Sequence, residues 1–162
     1  MKKTYLLVAM SLMVLSCGKK EASPEQEVGT NAPRVEVEAP AEETAAVSDD
    51  PMQNKGIGPV SSVEIPAEID QDMAAKGKAT FETKCTACHK PDVKFIGPAP
   101  KGILERRSPE WVMNMILNPE EMIQKDPIAK QLLAEANGAP MANQNLTEEE
   151  ARQVLEYFRT IE

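Results

Sequence analysis

The sequence predicts an all-α domain of four or five helices, preceded by a long segment without periodic structure. Three observations carry this. Ala151, Val154, Leu155 and Phe158 repeat at i, i+3, i+4 and i+7 behind Thr147 and Glu150, the two ends of a capping box. Ser108-Pro109, Asn118-Pro119 and Asp126-Pro127 each pair a capping residue with a proline suited to the first helical position. Around Cys85 there is no strand-like alternation, and the flanks read as helix.

Composition sets the outer bounds. A chain of 162 residues has room for one domain and accessory segments. Hydrophobic residues make up 41% and charged residues 27%, ordinary for a globular protein. Thirteen prolines beside one Trp, two Tyr and three Phe mark part of the chain as linker rather than core. A net charge of −8 argues against nucleic-acid binding.

Residues 1–16 read as a signal peptide. Lys2 and Lys3 give the positive start, and Tyr5 to Leu15 is apolar but short for a bilayer span. Val14-Leu15-Ser16-Cys17 resembles a bacterial lipoprotein signal, in which the cysteine is lipidated and becomes the new N-terminus. The alternative is an ordinary leader followed by a chance cysteine. With Cys17 acylated, the chain is expected to be a membrane-anchored lipoprotein facing the periplasm or the cell exterior.

Residues 17–66 are expected to form a flexible, lipid-anchored linker. They show no helical or strand period, and Pro24, Pro33, Pro40 and Pro51 interrupt any helix. Between Gly18 and Pro51 there are three basic and nine acidic residues. About 50 residues of flexible coil reach ~40 Å on average. Such a tether would let a domain swing between partners, or would be a plain spacer.

The cysteines set the chemistry of residues 67–162. Cys17, Cys85 and Cys88 are the three cysteines and His89 is the one histidine. That is too few for a four-ligand Cys/His zinc site once Cys17 is assigned to the anchor. A thioredoxin-like pair would need a βαβ setting, and a disulfide scaffold more bridges. Cys85-Thr86-Ala87-Cys88-His89 is the C-x-x-C-H pattern of haem attachment. Two thiols one helical turn apart add to the two vinyl groups of one porphyrin, and the adjacent histidine faces the iron. Covalent attachment suits an exported protein, where lost haem is hard to replace.

The helices follow in order. Asp72 to Lys84 reads as the first, with Gly77 and Phe81 one turn apart. Ser108-Pro109-Glu110 opens a second through about Leu117, with Trp111, Val112, Met115 and Ile116 apolar. A short one starts at Asn118-Pro119, and another starts or restarts at Asp126-Pro127 and ends at Asn137-Gly138. The last begins at Thr147, with Glu148 and Glu149 complementing its dipole.

Together with Ile96-Gly97-Pro98 after the haem motif, these features resemble the class I cytochrome c family over most of residues 70–162. The resemblance implies one covalent haem c enclosed by the helices, with Gly77 and Phe81 meeting Val154, Tyr157 or Phe158 where the first and last helices cross. It implies that the Pro98 carbonyl accepts a hydrogen bond from His89, the proximal ligand. Ala99-Pro100 departs from the commoner Asn-Leu at that point. The distal ligand in this class is usually methionine. Of Met73, Met113, Met115, Met122 and Met141, only Met141 stands in an irregular segment just before the last helix, where the family places its ligand. Trp111 is either core or a partner of a haem propionate.

With His89 and Met141 on the iron, no site remains for substrate, and the expected role is single-electron transfer rather than catalysis. Glu105 to Met115 and Met141 to Leu146 look like lipoprotein cytochromes c of periplasmic nitrous-oxide reductase systems. That resemblance implies a quinol-oxidising donor and a terminal reductase or oxidase as acceptor in a periplasmic respiratory chain. The alternative function is a gas sensor or weak peroxidase with an open distal site. Lys84, Lys90, Lys94, Lys101, Arg106 and Arg107 face only Asp92 and Glu105 in their stretch. They read either as a basic rim that steers an acidic partner or as ordinary solvated surface.

Overall fold

The computed structural model describes Ser48 and residues 50–162. The leader, Cys17 and most of the expected tether lie outside the described residues. Five α-helices carry the described region: α1 (Gln71–Lys84), α2 (Pro109–Leu117), α3 (Pro119–Lys125), α4 (Pro127–Glu135) and α5 (Glu148–Arg159). A 3₁₀ turn at Ile103–Glu105 precedes α2, and no strand occurs among the described residues.

Each helix starts for a local reason. Asp70 caps α1 by accepting from the Met73 N–H. Ser108 caps α2 through the Trp111 N–H, and Asp126 caps α4 through the Ala129 N–H. Pro109, Pro119 and Pro127 each take the first helical position, where a missing N–H removes no helical bond. α5 has the full capping box: Glu150 N–H donates to the Thr147 hydroxyl, and Thr147 N–H donates to the Glu150 carboxylate. Beyond α4 the chain turns through left-handed Asn137 and Gly138, with the Gly138 N–H donating to Leu133 O.

α1 and α5 cross with their backbones in close approach. At Gly77, a Cβ would lie 1.9 Å from Gln153 O and 2.8 Å from Val154 N, so only glycine lets the two backbones approach this closely. Phe81, four residues on, packs against Tyr157 at 5.5 Å and edge-on against Phe158 at 5.8 Å. Ala151, Val154 and Leu155 complete the buried stripe of α5.

The N-terminal boundary of the domain differs from the expectation. Residues 54–66, part of the expected linker, form a strap packed on the domain. Asn54 and Val60 are buried. The strap lacks a helical or strand period because side chains, chiefly those of α2 and its two caps, satisfy much of its main chain. Asn114 Nδ2 donates to Lys55 O and Val60 O, and its Oδ1 accepts from Val60 N–H. Asn118 Nδ2 donates to Ile57 O, Ser108 Oγ to Asn54 O, and Val63 N–H to Glu110. Arg159 closes the far end on the carbonyls of Pro66, Ala67 and Glu68.

Candidate haem site

The end of α1 presents the attachment motif. Cys85 caps the helix, with its N–H on Phe81 O, and the chain continues one more turn through Cys88 N–H and His89 N–H, both on Cys85 O. The two cysteines therefore sit one turn apart, and neither is in a disulfide. Burial pushes the Cys85 thiol above its ordinary value, while Lys84 works the other way.

His89 is fixed from two sides. Its Nδ1 lies 2.8 Å from Pro98 O. A carbonyl oxygen only accepts, so Nδ1 carries the proton and Nε2 keeps its lone pair for a metal. Gly97 forms the other constraint: a Cβ there would lie 2.4 Å from His89 Cε1. The Gly97 N–H in turn donates to Cys88 O, which folds the segment back over the ring.

Two adjoining cavities of about 170 and 90 Å³ open beside the motif. They share Cys85, His89, Pro98, Ile103, Trp111, Met115, Met141 and Gln144, and so form one cleft. One side is walled by Ile123, Ala129, Leu132 and Leu133 of α3 and α4, the other by Phe81, Val154 and Phe158 of α1 and α5. The lining is almost wholly apolar. Two free thiols one turn apart, a histidine with Nε2 to offer and an apolar cleft together fit a covalently held haem.

The expected site residues Cys85, Cys88, His89, Pro98 and Met141 are thus brought together. Trp111 is buried beside them. It lines the cleft, and its Nε1–H donates to Asp126 Oδ1 at 3.2 Å. It is a buried wall, 3% exposed. Arg107 stacks over its ring at 5.4 Å. The buried Nε of Arg107 has no partner among the described residues. Burial, and then Arg106, hold the Arg107 guanidinium below its ordinary value, while Asp126 and Glu135 oppose them.

Sequence reasoning missed two features. Met115 reads as helix core by position, yet it lines the same cleft as Met141. Asp126 reads as a helix cap, and it is one, but it is also fully buried behind the cleft. No signal within a single helix marks either.

Residues 74–162 match the cytochrome c family. Three solved structures are similar. Cytochrome c from Rhodothermus marinus is 46% identical, covering 64% of this chain and 89% of that one, with a TM-score of 0.62. An engineered cytochrome c from the same organism, Rma TDE, is 45% identical, covering 64% and 90%, with a TM-score of 0.62. The same engineered protein bound to a carbene intermediate is 46% identical, covering 64% and 89%, with a TM-score of 0.59. No curated protein matches the chain significantly. A family match over more than half of the sequence joins the attachment motif, the fixed histidine and the apolar cleft, so the chain belongs to the cytochrome c family, with haem c as its covalent cofactor.

Proposed function

We propose that this chain is a tethered electron carrier of a periplasmic respiratory chain, with His89 and Met141 as its two iron ligands. Bound haem supplies a reversible one-electron ferric/ferrous couple. The protein's part is to hold the cofactor through Cys85 and Cys88, to aim His89 through Pro98, to close the distal position with Met141 and to keep water out with an apolar lining. Met/His ligation and such a lining both favour a raised reduction potential. The observation that carries the reading is that His89, held by Pro98 at 2.8 Å, and Met141 line one cleft.

The anchor is Cys17, acylated and membrane-bound, and the partners are a quinol-oxidising donor and a terminal reductase or oxidase. Nitrous-oxide reductase is the acceptor that the subfamily resemblance favours. Among the described residues no helix is long and apolar enough to cross a membrane. Lys84 lies on the rim of the cleft, and Lys90 covers the ring of exposed Phe95. A basic, partly apolar rim of this kind favours an acidic partner that docks beside the cofactor.

Met141→Ala tests the assignment. Wild type should show the weak near-infrared sulfur-to-iron band and bind carbon monoxide slowly. The variant should lose the band, bind carbon monoxide rapidly and show a lower reduction potential. Retention of the band in the variant would assign the ligand to another methionine, Met115 first. Rapid carbon monoxide binding by wild type would favour a gas sensor or weak peroxidase.

A further inference from the structure

Asp126 is a carboxylate with 0% exposure and no direct basic partner among the described residues. Its oxygens are met by N–H donors only. Oδ1 accepts from Trp111 Nε1 at 3.2 Å and from Ala129 N at 2.8 Å, and Oδ2 accepts from Asn54 Nδ2 at 2.7 Å. That set suits a carboxylate acting solely as acceptor. Two of the three donors, Trp111 and Ala129, line the haem cleft. The charge therefore stands directly behind the wall of the cleft, separated from it by the residues it bonds.

The third donor comes from the strap. Asn54 is itself buried and locked: its Oδ1 accepts from Gly56 N–H, and its carbonyl accepts from Ser108 Oγ. It cannot turn away from Asp126 without leaving a polar atom unpartnered. On the face of the same tryptophan sits Arg107, the opposite charge. Asp126 lies where water screens it poorly, so its field reaches the cleft, while half-buried Arg107 is screened more and acts more weakly.

We propose that Asp126 and Arg107, set on the edge and the face of Trp111, adjust the reduction potential of the haem in opposite directions, and that Asn54 of the strap fixes Asp126 for that role. A buried negative charge stabilises the oxidised, more positive centre and lowers the potential, and the arginine raises it. The inference rests on the electron-carrier reading. It makes the strap a working part of the cofactor's surroundings.

The test is the midpoint potential of the holoprotein by spectroelectrochemistry. Asp126→Asn should cut the ferric/ferrous ratio at fixed potential by roughly three- to tenfold, an upward shift of about 30–60 mV at 59 mV per tenfold for one electron. Asp126→Glu keeps the charge and should stay within roughly twofold of wild type, whatever it does to stability. A merely structural aspartate would instead move the potential alike in both variants. Arg107→Gln should move the ratio the other way by roughly twofold, the smaller effect of a partly exposed group. Should Asp126→Asn yield no holoprotein, Arg107→Gln decides, and an unchanged or raised potential there overturns the proposal. A wild type without a reversible one-electron couple would sink the electron-carrier reading, whereas a reversible couple indifferent to Asp126→Asn sinks only this inference.

Discussion

On the α1–α5 side of the cleft, a glycine lets two helices touch and three aromatic rings fill the angle between them. Away from the cleft lining, asparagines hold the strap, a segment that has neither helix nor strand of its own. The first wall is close packing of apolar surface, non-directional and proportional to area. The second is directional, since every strap carbonyl held by Asn114 or Asn118 is satisfied by one particular amide. Apolar walls tolerate volume-conserving changes, whereas walls of side-chain-to-backbone bonds fail when one donor is removed, because a buried partner is then left unsatisfied. The protein therefore needs a shape match where α1 crosses α5 and an atom-by-atom match where the strap docks.

The comparison is broken most sharply at Gly77. Gly77→Val would drive side-chain carbons into Gln153 O and Val154 N, which are backbone atoms and cannot step aside. The expected loss is about 3 kcal/mol or more, at the upper end of overpacking effects. Denaturant unfolding of the holoprotein measures it. A loss under about 1 kcal/mol would mean that the helices can part without consequence.

The matching cut on the other wall is Asn114→Ala. It removes three hydrogen bonds and strands Val60 N–H, Val60 O and Lys55 O. At about 1–3 kcal/mol for each stranded group, relieved in part as the strap opens to water, the net loss should be about 2–3 kcal/mol. Unlike Gly77→Val, it should act locally: amide exchange at Val60 should rise well before α5 exchanges. Uniform loss of protection across both walls would erase the distinction.

How much of this was legible in the sequence follows from the same contrast. The five helices were readable because caps, first-position prolines and the α5 stripe are local signals. Cys85, Cys88 and His89 were readable because covalent haem chemistry demands that spacing. Pro98 came through family resemblance alone, since no local rule ties a carbonyl to a histidine nine residues earlier. The strap was not readable. Val60 and Asn54 find their partners 54 and 72 residues further along the chain, and a single sequence has no pattern for such a pairing. Its prolines and polar residues match those of a true linker, so composition put the boundary at residue 66 rather than near Asn54. The bond from Trp111 to Asp126 was not legible either, because Asp126 reads in sequence only as a helix cap.

Glu156 joins the two walls and sharpens the comparison through pH. It is 1% exposed, accepts from Asp70 N–H at the start of α1, and pairs with Arg152 and with Arg159, which also holds the end of the strap. Burial works to raise its carboxyl, but the hydrogen bonds of Arg152 and Asp70 and the charges of both arginines win, leaving it below the usual glutamate value. A depressed folded value stabilises the protein fully above the unfolded value, about 4.3, and that contribution is lost as pH falls through the folded one. Glu156→Gln should therefore lower stability by about 1–3 kcal/mol at neutral pH, and the wild-type advantage should shrink below about pH 4. An equal deficit for Glu156→Gln at pH 7 and pH 3 would show that the carboxylate charge is not what matters.

The smallest expected effect belongs to the device most plainly written in the sequence. Thr147 opens α5, its hydroxyl accepting from Glu150 N–H and its own N–H donating back to the Glu150 carboxylate. The Thr147 N–H, and then the Thr147 hydroxyl donating to the same oxygen, hold the Glu150 carboxyl below its ordinary value. Thr147→Ala should cost about 1 kcal/mol, the ordinary worth of a cap, since Thr147 is exposed and water can replace what is lost. The substitution lies six residues after Met141, so it also asks whether the start of α5 braces the distal segment. If the cap only ends a helix, the sulfur-to-iron band and the midpoint potential should match wild type while the unfolding midpoint falls slightly. A loss as large as that of Asn114→Ala, or a weakened band, would place this exposed cap among the groups that hold the cofactor's surroundings. The line between a tolerant apolar wall and an exacting polar one would then have to be drawn through α5 itself.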